Sequence, residues 1–343
     1  CIFLYKSKML KFKNYKFKEK FLLNYLTPTS KGTKWYDPPP SNLLNPRLVG
    51  RYVLQFHQFA EIISDLIKSK EIKKIRFLDL GTGDGILPEL ISMFYKCELS
   101  HGLDPYGESE HKTFPRSGNR KRLLKEILKV FKKNSLDISN YKNLIKNEGY
   151  FKNPKTIKFK KKKADWVFLK RFIHELPVKK KYNLIFAKCI DHIPDWKKLI
   201  KDISLRSEKD TYFVIKHNSF FSYNGAHRYA STFIPWGHLV LSEKDYKQYA
   251  KKFHRNRSQD MIDFYYKGLS YPRYSIDDLM NILVSNNWEI KSIEHSINKN
   301  FKQQLKLAGG FKKLTKDVNK NFKNISLQEL STSRSMIIAK KIK

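Results

Sequence analysis

The sequence predicts an α/β protein, doubly wound on a mostly parallel sheet, and three observations predict it. Arg76-Phe77-Leu78-Asp79-Leu80 is an apolar run that passes through Gly81-Thr82-Gly83-Asp84-Gly85 and reopens as Ile86-Leu87-Pro88-Glu89-Leu90-Ile91. This is the pattern of a strand, a tight loop and a helix. Leu99-Ser100-His101-Gly102-Leu103 reads as a second strand closing on Asp104, about 20 residues past the loop. Strand-like runs at Tyr182–Ala187 and Thr211–Lys216, set among helical patterns at 48–67, 119–133 and 275–284, complete an alternation of the two element types.

The loop carries the chemistry. Its glycines permit unusual dihedrals and leave no Cβ in a ligand's way, while the next helix offers free N–H groups at its N-terminus. A dinucleotide loop, Gly-x-Gly-x-x-Gly, needs a third glycine for close helix–strand packing; counting from Gly81, that position holds Ile86. The spacing that stands, Asp79-x-Gly81-x-Gly83-x-Gly85, resembles motif I of the class I, Rossmann-like S-adenosylmethionine-dependent methyltransferases. The resemblance implies a transferase using S-adenosyl-L-methionine. It places Gly81, Thr82, Gly83, Asp84 and Gly85 along the methionyl part of that cofactor and Asp79 near its amino group, directly or through water. Asp104 is the candidate for the ribose hydroxyls. A seven-stranded sheet with an antiparallel last strand is implied as well.

Taken in order, residues 1–26 alternate Lys with aromatics and leucines and read as a basic arm or a weak first helix. Residues 27–45, rich in Pro, Ser and Gly, read as a loop, so 1–47 is expected to be an N-terminal extension and 48–343 the methyltransferase domain. Asp37-Pro38-Pro39-Pro40 invites comparison with the Asp/Asn-Pro-Pro-aromatic motif of amino-methylating DNA enzymes, but its fourth position is Pro40 and no apolar strand precedes it. Leu48 to Ile67 show helical spacing. The chain from 105 to 164 exceeds a simple crossover and is expected to be an insertion, with an amphipathic helix over Asn119–Lys133 and a shorter one over Tyr141–Asn147. Between Lys152 and Lys181 stand twelve basic residues, Lys160 to Lys163 consecutive, against Asp165 and Glu175; such a run reads as a solvated strand end or loop.

Leu176-Pro177, Tyr182-Asn183 and His192-Ile193 match later family elements. Where the family usually has Gly-Asp beside the adenine ring, this chain has Arg171-Phe172. After the strand Thr211–Lys216, residues 219–274 are too long for a connector and are expected to form an irregular lid or substrate segment. Ser275 opens a capped helix through Val284, Trp288–Ile293 is a strand, 299–330 a Lys-rich, partly helical insertion, and Ser335–Lys340 the closing antiparallel strand.

The 343 residues are 41% hydrophobic, enough to bury a large core, and carry a formal charge of +37. The excess is 56 Lys against 13 Arg. Phosphate and base recognition favours the Arg fork, so the excess reads first as a compositional bias toward Lys, with nucleic acid or an anionic membrane surface as functional alternatives. Cys1, Cys97 and Cys189 make no metal spacing and fit a reducing compartment. With no apolar run of membrane-spanning length and no signal-peptide core, a cytoplasmic location is expected. The sequence opens on Cys1 rather than Met, which leaves the natural start open. His174-Glu175 is not a zinc helix, because HExxH would need His where Val178 stands. His192, His217 and His238 lie past strand ends or in the lid segment and are the candidates for a catalytic or substrate-orienting role. A small-molecule acceptor, through a hydroxyl of a sugar, lipid precursor or other metabolite, is the expected substrate. RNA methylation and a non-catalytic binding module are the alternatives.

Overall fold

The computed structural model describes residues 9–18, 46–106, 120–132, 135–136, 157–158, 163–223, 225, 230–254, 258–297 and 301–343. A hairpin of β1 (Met9–Phe12) and β2 (Tyr15–Lys18) comes first, then α1 (Pro46–Lys68), β3 (Ile75–Leu80), α2 (Ile86–Phe94), β4 (Cys97–Leu103) and α3 (Arg120–Val130). Three two-residue strands follow: β5 (Phe131–Lys132), β6 (Ser135–Leu136) and β7 (Ile157–Lys158). The chain continues through β8 (Val167–Leu169), β9 (Tyr182–Ala187), α4 (Trp196–Leu205) and β10 (Ser207–Asn218). Then come α5 (Gly237–Val240), α6 (Glu243–His254), α7 (Ser258–Lys267), α8 (Ile276–Ser285) and β11 (Trp288–Ile297). α9 (Phe301–Leu307), α10 (Phe311–Val318), α11 (Leu327–Ser331) and β12 (Thr332–Lys341) complete it.

Seven strands form one sheet in the order β11-β12-β10-β9-β3-β4-β8. Pairings from β10 through β8 are parallel, and β12 runs antiparallel to both β10 and β11. The expected mostly parallel, seven-stranded sheet with an antiparallel last strand is therefore present. Successive residues of a strand face opposite sides, and the core divides accordingly. Phe77, Leu184, Phe186 and Val214 pack under α1, α2 and α3, whereas Leu78, Ile185, Phe213 and Ile215 pack under α4 and α8. Both faces are buried, which is why these strands read as continuous apolar runs. From β3 the chain winds outward to β4 and β8 and then returns to β9 on the other side of β3. That reversal opens a crevice beyond the carboxyl ends of β3 and β9, where open α/β sheets bind ligands.

Two expectations are corrected. The described part of the N-terminal stretch is a hairpin: Leu10, Phe12, Tyr15 and Phe17 share its inner face, Lys11 pairs with Lys16 outside, and Lys13 turns the chain at φ 51°. Alternation of aromatics with Lys was a period of two broken by the turn at Lys13-Asn14, and the break hid it. The expected irregular segment 219–274 is largely helical from Gly237 onward: it contains α5, α6 and α7, and its described residues share a third apolar layer with the hairpin and α10, built on Phe12, Phe17, Trp236, Tyr249 and Leu314. The expected cap of α8 is present: Ser275 Oγ accepts from the Asp278 N–H at 3.0 Å, and the Asp278 carboxylate accepts from the Ser275 N–H at 2.7 Å.

Candidate functional site

β3 delivers Asp79 to the crevice, and the loop after it turns through Gly81 (φ 67°), Gly83 (φ 57°) and Gly85 (φ 68°) into α2. Space as well as dihedral angle demands glycine at two of these positions. A Cβ on Gly81 would lie 2.5 Å from Cys189 Sγ, and one on Gly85 would lie 2.3 Å from the Trp166 ring. The Gly81 and Thr82 N–H groups donate to the Leu103 carbonyl at 2.8 and 3.2 Å, which fastens the loop to the end of β4.

The two acids are held differently. Asp79 is 3% exposed, and its Oδ2 accepts the Thr82 hydroxyl at 2.6 Å. Burial raises its pKa to about 7; the Thr82 hydrogen bond opposes that, Asp104 adds to it and Lys188 opposes it. Asp104 follows β4, and each of its oxygens accepts one backbone N–H: Oδ2 from Gly83 at 3.1 Å, Oδ1 from Tyr106 at 3.0 Å. Each oxygen keeps a further acceptor site. The loop and the two acids, Asp79 and Asp104, which stand 25 positions apart in sequence, thus form one hydrogen-bonded unit. Asp84 contributes its carbonyl to Arg120 Nε at 2.7 Å and its carboxylate to the Tyr52 hydroxyl at 3.4 Å.

On the other side of the crevice β9 runs into Lys188, Cys189 and a short 3-10 turn, Ile190–His192. Asp191 is buried and accepts from Asn218 Nδ2, at the end of β10, at 3.4 Å. His192 Nδ1 lies 2.8 Å from the Gly268 carbonyl; a carbonyl only accepts, so Nδ1 carries the hydrogen. Its Nε2 is 3.8 Å from the Asp191 carboxylate. The Asp191 carbonyl also accepts from the Ser270 N–H at 2.8 Å, so the end of the 219–274 segment is tied to the turn after β9.

His217 and His238 are placed elsewhere. His217 is 1% exposed and edge-on to Trp196, ring centroids 5.2 Å apart, and burial lowers its pKa to about 4. His238 is 2% exposed, its Nε2 donates to the Phe220 carbonyl at 2.7 Å, and burial lowers its pKa to about 4 against that hydrogen bond. Both rings are neutral at neutral pH, and neither reaches solvent: His217, expected just past its strand, lies inside β10, and His238 lies inside α5. Of the three, His192 is the one hydrogen-bonded into the turn after β9.

Several residues beside the loop carry no local sequence signal. Cys189, Arg120 and Trp166 reach it from 36 to 108 positions away along the chain, Tyr106 is hydrogen-bonded to Asp104, and Tyr106 and Phe172 have 68% and 45% of their surface exposed. Their rings meet edge-on, 6.2 Å between centroids, and Glu175 steadies Phe172 by accepting its N–H at 2.6 Å. Asp37–Pro40, Tyr141–Asn147, Lys160–Lys162 and Ala226–Tyr229 lie outside the described residues. Among the described residues no group of three or more His, Cys, Asp or Glu is placed to hold a metal ion, and no helix is long and apolar enough to cross a membrane.

No curated protein matches the chain. Solved structures similar to it include the magnesium protoporphyrin IX methyltransferase of Synechocystis PCC 6803 with bound SAH, at 12% identity and TM-score 0.38, covering 94% of this chain and 99% of that one. A SAM-dependent methyltransferase of Methanosarcina mazei is 12% identical with TM-score 0.37 and coverages of 80% and 97%. An S-adenosylmethionine-dependent methyltransferase of Mesorhizobium loti is 10% identical with TM-score 0.35 and coverages of 79% and 93%. A family model described as a methyltransferase domain matches residues 52–292, well over half of the 343. The chain therefore belongs to the methyltransferase-domain family and is an enzyme that uses S-adenosylmethionine as its methyl donor.

Proposed function

We propose that the enzyme methylates a small-molecule acceptor, at a hydroxyl of a sugar, lipid precursor or other metabolite, in the crevice beyond β3 and β9. One observation carries this reading: the segment after β10 folds back and is hydrogen-bonded to the turn after β9, through Ser270 to Asp191 and His192 to Gly268. A crevice walled on its acceptor side suits a small ligand better than a polymer.

The residues fit the donor molecule. Asp104, with a spare acceptor site on each oxygen, suits a ribose diol. Asp79, raised to about 7 by burial, would ionise beside an ammonium group, as the α-amino end of the donor requires. Gly81, Thr82, Gly83, Asp84 and Gly85 offer backbone without side-chain obstruction, and the exposed faces of Tyr106 and Phe172 offer stacking surface for a base next to Asp104. When bound, the donor supplies a methyl group already activated on a sulfonium. The chain's own task is then to align the acceptor and exclude water; alignment alone is worth effective molarities of roughly 10⁵–10⁸ M, against about 10²–10⁴-fold from a general base. We assign His192 the acceptor-orienting role, and His217 and His238 structural roles in packing. A reducing, cytoplasmic setting remains part of this reading.

The test is release of S-adenosylhomocysteine by purified enzyme across a panel of hydroxylated metabolites and, in parallel, RNA. Turnover with a small acceptor, insensitive to salt, supports the proposal. Turnover only with RNA, falling steeply as salt rises, contradicts it.

A further inference from the structure

We propose that Arg120 and Trp166 form a clamp that holds the glycine loop in its cofactor-ready shape, with the result that the insertion between them is energetically linked to cofactor binding. This rests on the reading of the loop given above.

Arg120 opens α3, and Trp166 stands just ahead of β8, so residues from before and after the 121–165 stretch meet at one place. Arg120 Nε donates to the Asp84 carbonyl at 2.7 Å, and its guanidinium is ion-paired with Glu89 in the first turn of α2. The same guanidinium lies over the Trp166 ring, 5.0 Å from its centroid. Trp166 in turn occupies the space beside Gly85, and the preceding residue, Asp165, donates its N–H to Ser92 Oγ on α2 at 3.1 Å. Helix electrostatics does not explain this arrangement, because a cation at the N-terminus of α2 opposes the helix dipole. Glu89 offsets that cost, and what the guanidinium gains is a hold on the loop carbonyl. The loop contains three residues at positive φ, and fixing it before the ligand arrives removes an ordering cost from the binding step. By reciprocity, whatever loosens the insertion weakens cofactor binding, and cofactor binding steadies the insertion. Arg120 is a positioning residue, since it acts on the ligand through the loop.

The experiment compares wild type with Arg120→Ala, Arg120→Lys and Trp166→Phe, using S-adenosylhomocysteine as the probe. Calorimetry gives the affinity, amide hydrogen exchange of residues 81–86 without ligand gives the order of the loop, and a thermal melt followed by circular dichroism checks folding. The clamp predicts that the dissociation constant rises about tenfold in Arg120→Ala, with loop exchange accelerating in step, and that Lys restores part of both. It also predicts a ligand-induced change in tryptophan fluorescence in wild type that Trp166→Phe removes. If Arg120→Ala does not fold, the Lys and Phe variants carry the comparison. Affinities within twofold of wild type with unchanged loop exchange overturn the proposal, as does weakened binding with an unaltered loop. Should wild type bind no probe at all, the cofactor reading of the loop fails. The ligand-free exchange measurement still decides the clamp.

Discussion

Replacing Asp79 with Asn should stabilise the protein while disabling it, and the effect should depend on pH in a defined way. The carboxyl's ordinary value is 3.8, and in the folded chain it is raised to about 7. Between those values the unfolded chain has released the proton while the folded chain retains it, so stability falls as pH rises through this window and stays reduced above it. At 1.36 kcal/mol per pH unit, the cost above pH 7 is on the order of 4 kcal/mol, of which roughly a third is already present at pH 5. Asn cannot ionise, and its carbonyl can still accept from Thr82. Relative to wild type, Asp79→Asn should therefore gain about 3 kcal/mol more stability at pH 8 than at pH 5, read as urea midpoints with m-values held equal. In wild type, an ammonium partner for Asp79 makes affinity for S-adenosylmethionine fall toward tenfold per pH unit below about pH 7, and the variant should lose this dependence along with most of its affinity. A stability difference independent of pH, or a variant less stable than wild type at pH 8, would refute the reasoning.

Other expectations follow from the same geometry. Gly81→Ala places a Cβ against Cys189 at positive φ, so donor binding should drop at least tenfold in calorimetry while the circular dichroism spectrum is retained. Ser275→Ala removes the cap of α8 and should cost about 1 kcal/mol in urea titration, with donor affinity unchanged. Phe59→Ala empties a site where the ring packs against Phe77 and Phe186, centroids 5.5 and 4.8 Å away, and should cost about 3–5 kcal/mol. His192→Gln, able to keep one hydrogen bond, should lower turnover with the acceptor while leaving the dissociation constant of S-adenosylhomocysteine within twofold, since the imidazole is assigned to the acceptor side.

How much of this was legible in the sequence depended on how local the cause was. The strand, loop and helix around Asp79 to Gly85 are specified by neighbours within a dozen positions, and β9 occupies the predicted residues Tyr182–Ala187. The Ser275 cap was legible for the same reason, because its partner Asp278 is three residues away. The hairpin of β1 and β2 was hidden by its own turn, and the helices α5 to α7 by aromatic residues that match no single period until they pack against Phe12 and Phe17. At the site, Asp104 could be found by its distance from the loop. Arg120, Trp166 and Cys189 could not, since nothing near them in sequence records that the fold brings them against Asp84, Gly85 and Gly81. The histidines show the opposite limit: His192 does follow β9, but His217, expected just past its strand, lies inside β10, and exposure is a property of the packed layers, which enclose His217 and His238.

The central claim is that one hydrogen-bonded unit of Asp79, the glycine loop and Asp104 holds the methyl donor. Calorimetric titration of S-adenosylmethionine and S-adenosylhomocysteine into wild type and Asp104→Ala, at low and high salt, tests it most directly. The account predicts saturable binding to wild type that changes little with salt and weakens at least tenfold in Asp104→Ala. Absence of binding by folded wild-type protein, or equal affinity in the variant, would contradict it.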